Sequence, residues 1–116
     1  MTNWKGTKGY AKYQNFKIAA EASKFQLQIG RYSGTAGKDS LAYHNNAKFT
    51  TKDADNDTYK TNCAITHEKG AWWYRACDHC GLNGLYNVTN SDMGVEWDGF
   101  PNGKYMKSTK MMFRCK

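Results

Sequence analysis

The stretch from about Phe49 to Tyr105 constrains this chain most, because no hydrophobic period persists along it. Gly, Asn, Asp and Lys dominate these residues. A stretch of this length without regular structure, inside a compact domain, is usually functional or is held by crosslinks and metal ions. The 116 residues favour a single domain, 1–116. We therefore expect a sheet part, about 1–48 and 105–116, and a loop part, about 49–104.

The sheet part shows the alternation that is typical of strands. In "KFQLQIG", the apolar residues Phe25, Leu27 and Ile29 alternate with polar ones, which predicts a half-buried strand. Its expected partner is "GYAKYQNFKI", with "AAEAS" as the connection, and "TKMMFRC" predicts a closing strand. "AGKDSLAYHNN" predicts one helical turn capped by Asp39 or Ser40. The expected fold class is α+β, a small twisted antiparallel sheet with short helices and a long irregular loop region.

Four cysteines, Cys63, Cys77, Cys80 and Cys115, allow three pairings. A zinc ribbon needs two close pairs, and only "CDHC" is close. A thioredoxin-type redox pair should open a helix, whereas this one runs into Gly and Asn. Two structural disulfides in a secreted protein are therefore favoured.

Composition removes several classes of function. No apolar run approaches the ~18 residues of a membrane span. The net charge is +7 and the sequence pI is about 9.3, but the basic residues are spread along the chain, which weakens a nucleic-acid interpretation based on charge alone. No set of a nucleophile and a base is visible, so an enzyme is not expected.

Three carboxylates at alternate positions, Asp53, Asp55 and Asp57, need a solvated loop, basic neighbours or a cation. Calcium prefers six to eight oxygen ligands, and the spacing imitates the start of an EF-hand loop. The sixth position is Thr58 rather than Gly, and the twelfth is Ala64 rather than Glu. An EF-hand is therefore rejected, and a different calcium loop stays open beside a merely solvated acidic run.

The chain resembles the C-terminal part of the fibrinogen-related domain, as found in ficolins, tachylectins and the fibrinogen γ chain. The resemblance is carried by "NWKGTKGYAKY", "YSGTAGKDSLAYHN", "DADND", "GAWWYRAC", "LNGLY" and "GVEW", and it runs almost from end to end. The combined pattern is highly specific, although no single piece of it is.

The resemblance implies one calcium ion in the acidic loop. Carried over residue by residue, its ligands are the carboxylates of Asp55 and Asp57 and the main-chain carbonyls of Tyr59 and Thr61. Asp53 is then an electrostatic neighbour. The ion would be structural, because it would hold a loop that has no strand ladder of its own.

The resemblance also implies a Cys63–Cys77 disulfide beside the calcium loop, and a cis peptide bond between Ala76 and Cys77. Cys80 and Cys115 are not part of the common pattern. Their simplest pairing is with each other, which would tie the loop to the last strand, and intermolecular bonding is the alternative.

Family lectins bind acetyl groups beside the calcium site, and here the pocket departs from them. Asp78 follows Cys77, so that the histidine comes one place later as His79. His67 occupies the place of an aromatic residue, and Ser91 stands where some acetyl-binding members have tyrosine. These departures weaken the expectation of acetyl specificity.

Asp92 matches the aspartate with which the fibrinogen γ pocket holds a peptide's amino terminus. Tyr74 and Tyr86 are the candidates for an aromatic wall, whereas Trp72, Trp73 and Trp97 are expected in the core. His79 could equally pack against the cysteines, and His44 is expected to be structural.

The leading functional expectation is a secreted, calcium-binding lectin of innate-defence type for acetylated or anionic sugars such as N-acetylhexosamines or sialic acid. The alternative is a protein-interaction module that binds a peptide amino terminus or a receptor through the same pocket. The family's N-terminal subdomain has no counterpart in the sequence, which leaves either a fragment or a natural short lectin. In the second case a homodimer through the bare sheet edge is expected.

Overall fold

The computed structural model describes residues 1–115. Within them, six short strands and three short helices occur, and they pair as three two-stranded antiparallel sheets, β1 with β6, β2 with β3 and β4 with β5. The strands are β1 (Thr2–Asn3), β2 (Ala11–Ile18), β3 (Leu27–Gly34), β4 (Cys80–Gly81), β5 (Glu96–Trp97) and β6 (Met106–Ser108). The helices are two 3₁₀ helices, Glu21–Ser23 and Ser40–His44, and α1 (Cys63–Thr66). The expected α+β class is confirmed, with the small sheet divided into three.

The predicted hairpin of β2 and β3 forms, but β3 begins at Leu27 rather than at Lys24. Phe25, which was expected on the buried face of this strand, lies in the connection with a positive φ and is exposed. Phe16 lies opposite Ile29 and Tyr13 lies opposite Tyr32, and the 3₁₀ helix Glu21–Ser23 forms the connection. Leu27, at the start of β3, is fully buried. The hairpin therefore anchors the sheet part to the core at one end.

The predicted helical turn is the 3₁₀ helix Ser40–His44. Asp39 caps it, because its carboxylate accepts the amide of Ala42 at 3.2 Å. The Ser40 hydroxyl donates to the carbonyl of Asp98. This turn therefore joins the sheet part to the far end of the loop part.

The predicted closing strand over residues 109–115 is wrong. The last strand is β6 (Met106–Ser108), which pairs with β1, and residues 109–115 form no regular structure. Alternation makes a strand only where a neighbouring strand offers a ladder, and β1 is just two residues long. Met112 and Phe113 are consequently about four-fifths exposed.

Aromatic side chains give the loop part its core. Trp72, Trp73 and Trp97 are all buried, as predicted. The Trp73 indole donates to the carbonyl of Phe25 at 2.9 Å, and the Trp97 indole donates to the carbonyl of Lys38 at 2.8 Å. These bonds dock the irregular loop part onto the sheet part. Within residues 1–115, no helix is both long and apolar enough to cross a bilayer.

Candidate functional site

The acidic loop folds around Asp57. One oxygen of its carboxylate accepts the amide of Tyr59 at 3.0 Å, and the other accepts the amide of Cys63, at the start of α1, at 2.9 Å. Asp55 accepts the amide of Asp57 at 3.2 Å. Asp53 instead accepts the Thr51 hydroxyl at 2.6 Å, so its carboxylate is engaged elsewhere.

The electrostatics of this loop suit a cation. Burial raises the pKa of Asp57, the charge of nearby Asp55 raises it further, and the amides of Cys63 and Tyr59 oppose both effects. No hydrogen bond from another described residue ends on the carbonyl oxygens of Tyr59 or Thr61. Two adjacent carboxylates and two free carbonyls are hard oxygen donors of the kind that calcium takes.

The residues present therefore fit the expected calcium ion. No three His, Cys, Asp or Glu side chains converge as a metal cluster anywhere in residues 1–115, but the expected site needs only two carboxylates. The remaining ligands are main-chain carbonyls, which a side-chain pattern does not reveal.

A disulfide joins the acidic loop to the next segment. Cys63 and Cys77 form the expected bond, and the Ala76–Cys77 peptide bond is cis. The expected Cys80–Cys115 disulfide is wrong, because both cysteines are free. Cys80 is sealed in the core on β4, whereas Cys115 is exposed at the end of the unpaired tail, so the two thiols lie in different environments.

A polar cleft of about 300 Å³ opens beside the disulfide. Of the residues predicted for a ligand pocket or for the metal, five line it; they are Tyr59, His67, Cys77, Asp78 and Asp92. The sequence-based interpretation missed four others, which are Ala76, Glu96, Asp98 and Lys104. The cleft thus brings together four carboxylates and one aromatic ring.

At the rim of the cleft, His67 and Asp92 form a pair. The His67 Nδ1 atom lies 3.0 Å from an Asp92 carboxylate oxygen. Asp92 remains more than half exposed, so its second oxygen is open to a ligand.

Four of the predicted pocket residues do not line the cleft. Tyr74 is buried, and its hydroxyl donates to the carbonyl of Gly70 at 2.7 Å. His79 stacks on Tyr43 with 3.9 Å between ring centroids. Tyr86 is exposed and packs against Trp4, and Ser91 forms a turn with Met93 and Gly94. The aromatic wall of the cleft is therefore Tyr59.

A buried ion cluster forms the floor of the cleft. Lys69 is 1% exposed, and its ammonium donates to Asp78 at 2.7 Å and to one carboxylate oxygen of Glu96. Burial raises the pKa of Asp78, while the charge of Lys69 opposes the rise. Nothing in the local sequence predicted this burial of Lys69; for Glu96, the one signal was its position between the apolar Val95 and Trp97.

His44 supports the cleft wall from behind. It is fully buried, as expected of a structural histidine. Its Nδ1 contacts the Trp73 carbonyl at 2.7 Å, and its Nε2 faces the amides of His79 and Cys80 at 3.1 and 3.3 Å. Burial lowers the pKa of His44 to about 4. A neutral ring with its proton on Nδ1 satisfies all three contacts.

Charge is divided between the two parts of the chain. Residues 49–104 contain eight acidic and five basic residues, whereas the remainder contains two acidic and twelve basic ones. The cleft therefore lies in the acidic part of a basic protein. Its surroundings attract cations and repel anions.

These features define a small crosslinked domain, in which an irregular loop is held on a small sheet support and lines a polar cleft. The chain belongs to the fibrinogen-related family. The family model described as the C-terminal globular domain of fibrinogen β and γ chains matches residues 1–116.

Sequence and structural similarity to known fibrinogen-like proteins supports this assignment. Fibrinogen-like protein A of Apostichopus parvimensis is 45% identical over 103 residues, which cover 87% of this chain and 36% of that protein. The fibrinogen-like globe domain of human ANGPTL2 superposes with a TM-score of 0.81 at 41% identity, and the match covers 91% of this chain and 50% of that one. A lamprey fibrin D-dimer complexed with the peptide Gly-His-Arg-Pro-amide superposes with a TM-score of 0.79 at 27% identity over 91% of this chain and 40% of that one.

The chain spans between about a third and a half of the length of these three proteins. The described part corresponds to a partial domain.

Proposed function

We propose that this chain is a secreted binding module, not an enzyme, whose cleft holds a protein or peptide ligand through a positively charged group. The observation that carries the proposal is the set of four carboxylates that line the cleft, Asp78, Asp92, Glu96 and Asp98. Two lysines, Lys69 and Lys104, compensate them only in part. A ligand cation would complete the balance of charge.

Asp92 is the residue we assign to the ligand's amino group. Its side chain is the most exposed of the four carboxylates in the cleft, and its partner His67 is itself partly exposed. The peptide in the lamprey complex has a free amino terminus and an arginine, which makes it a suitable probe of the same chemistry here.

A calcium ion is part of the proposal. Asp55 and Asp57, with the carbonyls of Tyr59 and Thr61, would hold it, and the ion would supply positive charge that stabilises the loop. Because Asp57 also accepts the amide of Cys63, loop order is coupled to the disulfide and through it to the cleft wall. An affinity on the order of 10⁻⁴–10⁻³ M is expected for an exposed extracellular site.

Sugar binding is the second candidate. The cleft offers several carboxylate acceptors for hydroxyl groups and one half-exposed ring, that of Tyr59. Neutral N-acetyl sugars are compatible with these groups. Sialic acid is disfavoured, because its carboxylate would approach four others.

The test is a set of calorimetric titrations in calcium and in excess EGTA. Gly-His-Arg-Pro-amide should bind, its N-acetylated form should bind at least tenfold more weakly, and Asp92→Asn should remove the difference. Glu21→Gln, an exposed acid outside the cleft, is the control for net charge. Equal binding of both peptides would overturn the cation proposal. Binding of N-acetylglucosamine but of neither peptide would favour the sugar instead.

The calcium proposal has its own readout. Thermal unfolding should shift to a lower temperature in EGTA, and Asp55→Asn should lose the shift. Asp53→Asn, whose side chain contacts Thr51, should retain it. Coincident melting curves with and without EGTA in the unaltered chain would contradict the calcium site.

A further inference from the structure

The floor of the cleft contains a polar atom that the described chain leaves without a hydrogen bond. Glu96 lies on β5, and its side chain is 3% exposed. One of its carboxylate oxygens accepts the Lys69 ammonium. The other, Oε2, has no hydrogen-bond partner among residues 1–115. Burial of a charged acceptor without a partner is unfavourable.

Lys104 is the one charged partner of this oxygen among the described residues, and it pairs with Oε2 by charge rather than through a well-oriented hydrogen bond. Its ammonium lies 3.3 Å from Glu96 Oε2 and 3.7 Å from a carboxylate oxygen of Asp98. These are ion-pair distances, yet the geometry at Oε2 falls outside that of a hydrogen bond. The Lys104 side chain is 43% exposed, so it can leave without opening the core.

The position of Lys104 shows which chemical group the recess accepts. Partial burial favours the neutral amine of Lys104, but the charge of Glu96 outweighs this and raises its pKa. A primary ammonium is thus stabilised between the two carboxylates. It is compact, with three donors, whereas a guanidinium is a wide planar fork.

We propose that Glu96 and Asp98 form a second cation subsite, separate from the His67–Asp92 pair, for a primary ammonium of the ligand. Lys104 is its displaceable internal occupant. The inference rests on the proposed function in one respect, namely that the cleft is where a ligand binds. A ligand with two cationic groups would then bind at two places, one group at Asp92 and the other between Glu96 and Asp98.

Lys69 fixes the subsite. Its ammonium binds Asp78 and one carboxylate oxygen of Glu96. The other oxygen, Oε2, is left to Lys104, and Glu96 itself lines the cleft. The pairing of β5 with β4 sets the backbone of Glu96 opposite Gly81. The acceptor is therefore built into the fold, and the partly exposed Lys104 side chain must move before a ligand can meet it.

The experiment is a titration of ¹⁵N-labelled protein with n-butylammonium chloride, followed by amide chemical shifts. Sodium chloride at equal ionic strength and 1-butanol are the controls. We expect saturable shifts at residues 96, 98 and 104 with the ammonium alone. Shifts confined to His67 and Asp92, or equal shifts with butanol, would overturn the proposal.

Substitution of Lys104 sharpens the test. Lys104→Met should tighten butylammonium binding by about two- to fivefold, the range expected when a partly exposed competing ion pair is removed. Lys107→Met, an exposed lysine on β6 outside the cleft, should change nothing. Adding Asp98→Asn to Lys104→Met should reverse the gain, without touching the buried Lys69 contacts. An unchanged affinity in Lys104→Met would contradict displacement.

Two further probes separate the sources of the ammonium. Nα-acetyl-lysine methylamide presents only a side-chain ammonium, and glycine methylamide presents only a terminal one. Binding of either at residues 96 and 98 supports the subsite, and the tighter one identifies the source. If Asp98→Asn leaves both unchanged while Asp92→Asn still removes the preference for the free over the N-acetylated peptide, the subsite fails and the proposed function stands.

Discussion

Protonation of His44 should destabilise the fold between pH 6.5 and 4. The neutral ring accepts the amides of His79 and Cys80 at Nε2, and its Nδ1 donates to the Trp73 carbonyl. A second proton would have to be placed on Nε2, where it would face two N–H donors in a buried space. Burial is the largest cause of the low pKa of about 4.

The size and sign of the effect follow from linkage. The pKa of an unfolded histidine is about 6.5, above the folded value of about 4. The folded state therefore binds the proton later than the unfolded state does as pH falls. Stability is fully present above pH 6.5 and is lost as the pH falls toward 4. The difference corresponds to about 3 kcal/mol of free energy of unfolding.

The assay is urea unfolding followed by tryptophan fluorescence from pH 7.5 to 4. Carboxylates also titrate in part of this range, so the informative quantity is the difference between the unaltered chain and His44→Gln. That difference should shrink by about 3 kcal/mol as the pH falls. Met106→Ala, a buried change without a titratable group, should show a loss that does not depend on pH. Parallel pH profiles for the unaltered chain and His44→Gln would refute the reasoning.

Three further outcomes are expected from the same geometry. Lys69→Met should cost about 3–5 kcal/mol in urea unfolding, because it leaves the buried Asp78 unpaired and removes one of the two cationic partners of the buried Glu96. A loss below 1 kcal/mol would contradict the ion cluster. Cys63→Ser should cost about 3 kcal/mol, since it releases a crosslink to Cys77 across 14 residues, and an unchanged unfolding midpoint would count against it. Ellman's reagent should react quickly with one thiol, that of the exposed Cys115. The thiol of Cys80 should react only after unfolding, because burial raises its pKa and blocks access. Two fast thiols, or none, would refute the assignment.

The elements that the sequence predicted well depend on neighbours close in the chain. The β2–β3 hairpin needs only alternation and a short connection, and the 3₁₀ helix Ser40–His44 needs only the cap at Asp39. The Cys63–Cys77 bond was implied by the resemblance, and it also closes a short loop. In each case the deciding interaction spans fewer than 25 residues.

The features that the sequence could not predict depend on distant partners. Lys69 looks like a surface lysine until Glu96, 27 residues later, is placed against it. Residues 109–115 have an alternating pattern but no neighbouring strand to pair with, because β1 pairs only with the residues of β6. A local pattern reports which residues could pair or be buried, but the partner is chosen by the tertiary fold.

The wall of the cleft is held at several points, and this determines where specificity can lie. Cys77 is bonded to Cys63, the amides of His79 and Cys80 are bound by His44, and Asp78 is bound by Lys69. Residues 77–80 therefore cannot shift to fit a ligand without breaking a buried contact.

Two other side chains that line the cleft are exposed to solvent. Asp92 is more than half exposed, and Lys104 is 43% exposed. Because the wall is held by buried contacts and these two side chains are exposed, changes in ligand preference should come from substitution of Asp92 or Lys104, whereas substitutions at 77–80 should lower stability first. Measuring both the ligand affinity and the free energy of unfolding of Lys104→Met and of Asp78→Asn separates an effect on binding from an effect on stability. A stable Asp78→Asn variant with altered ligand preference would show that the wall is not fixed.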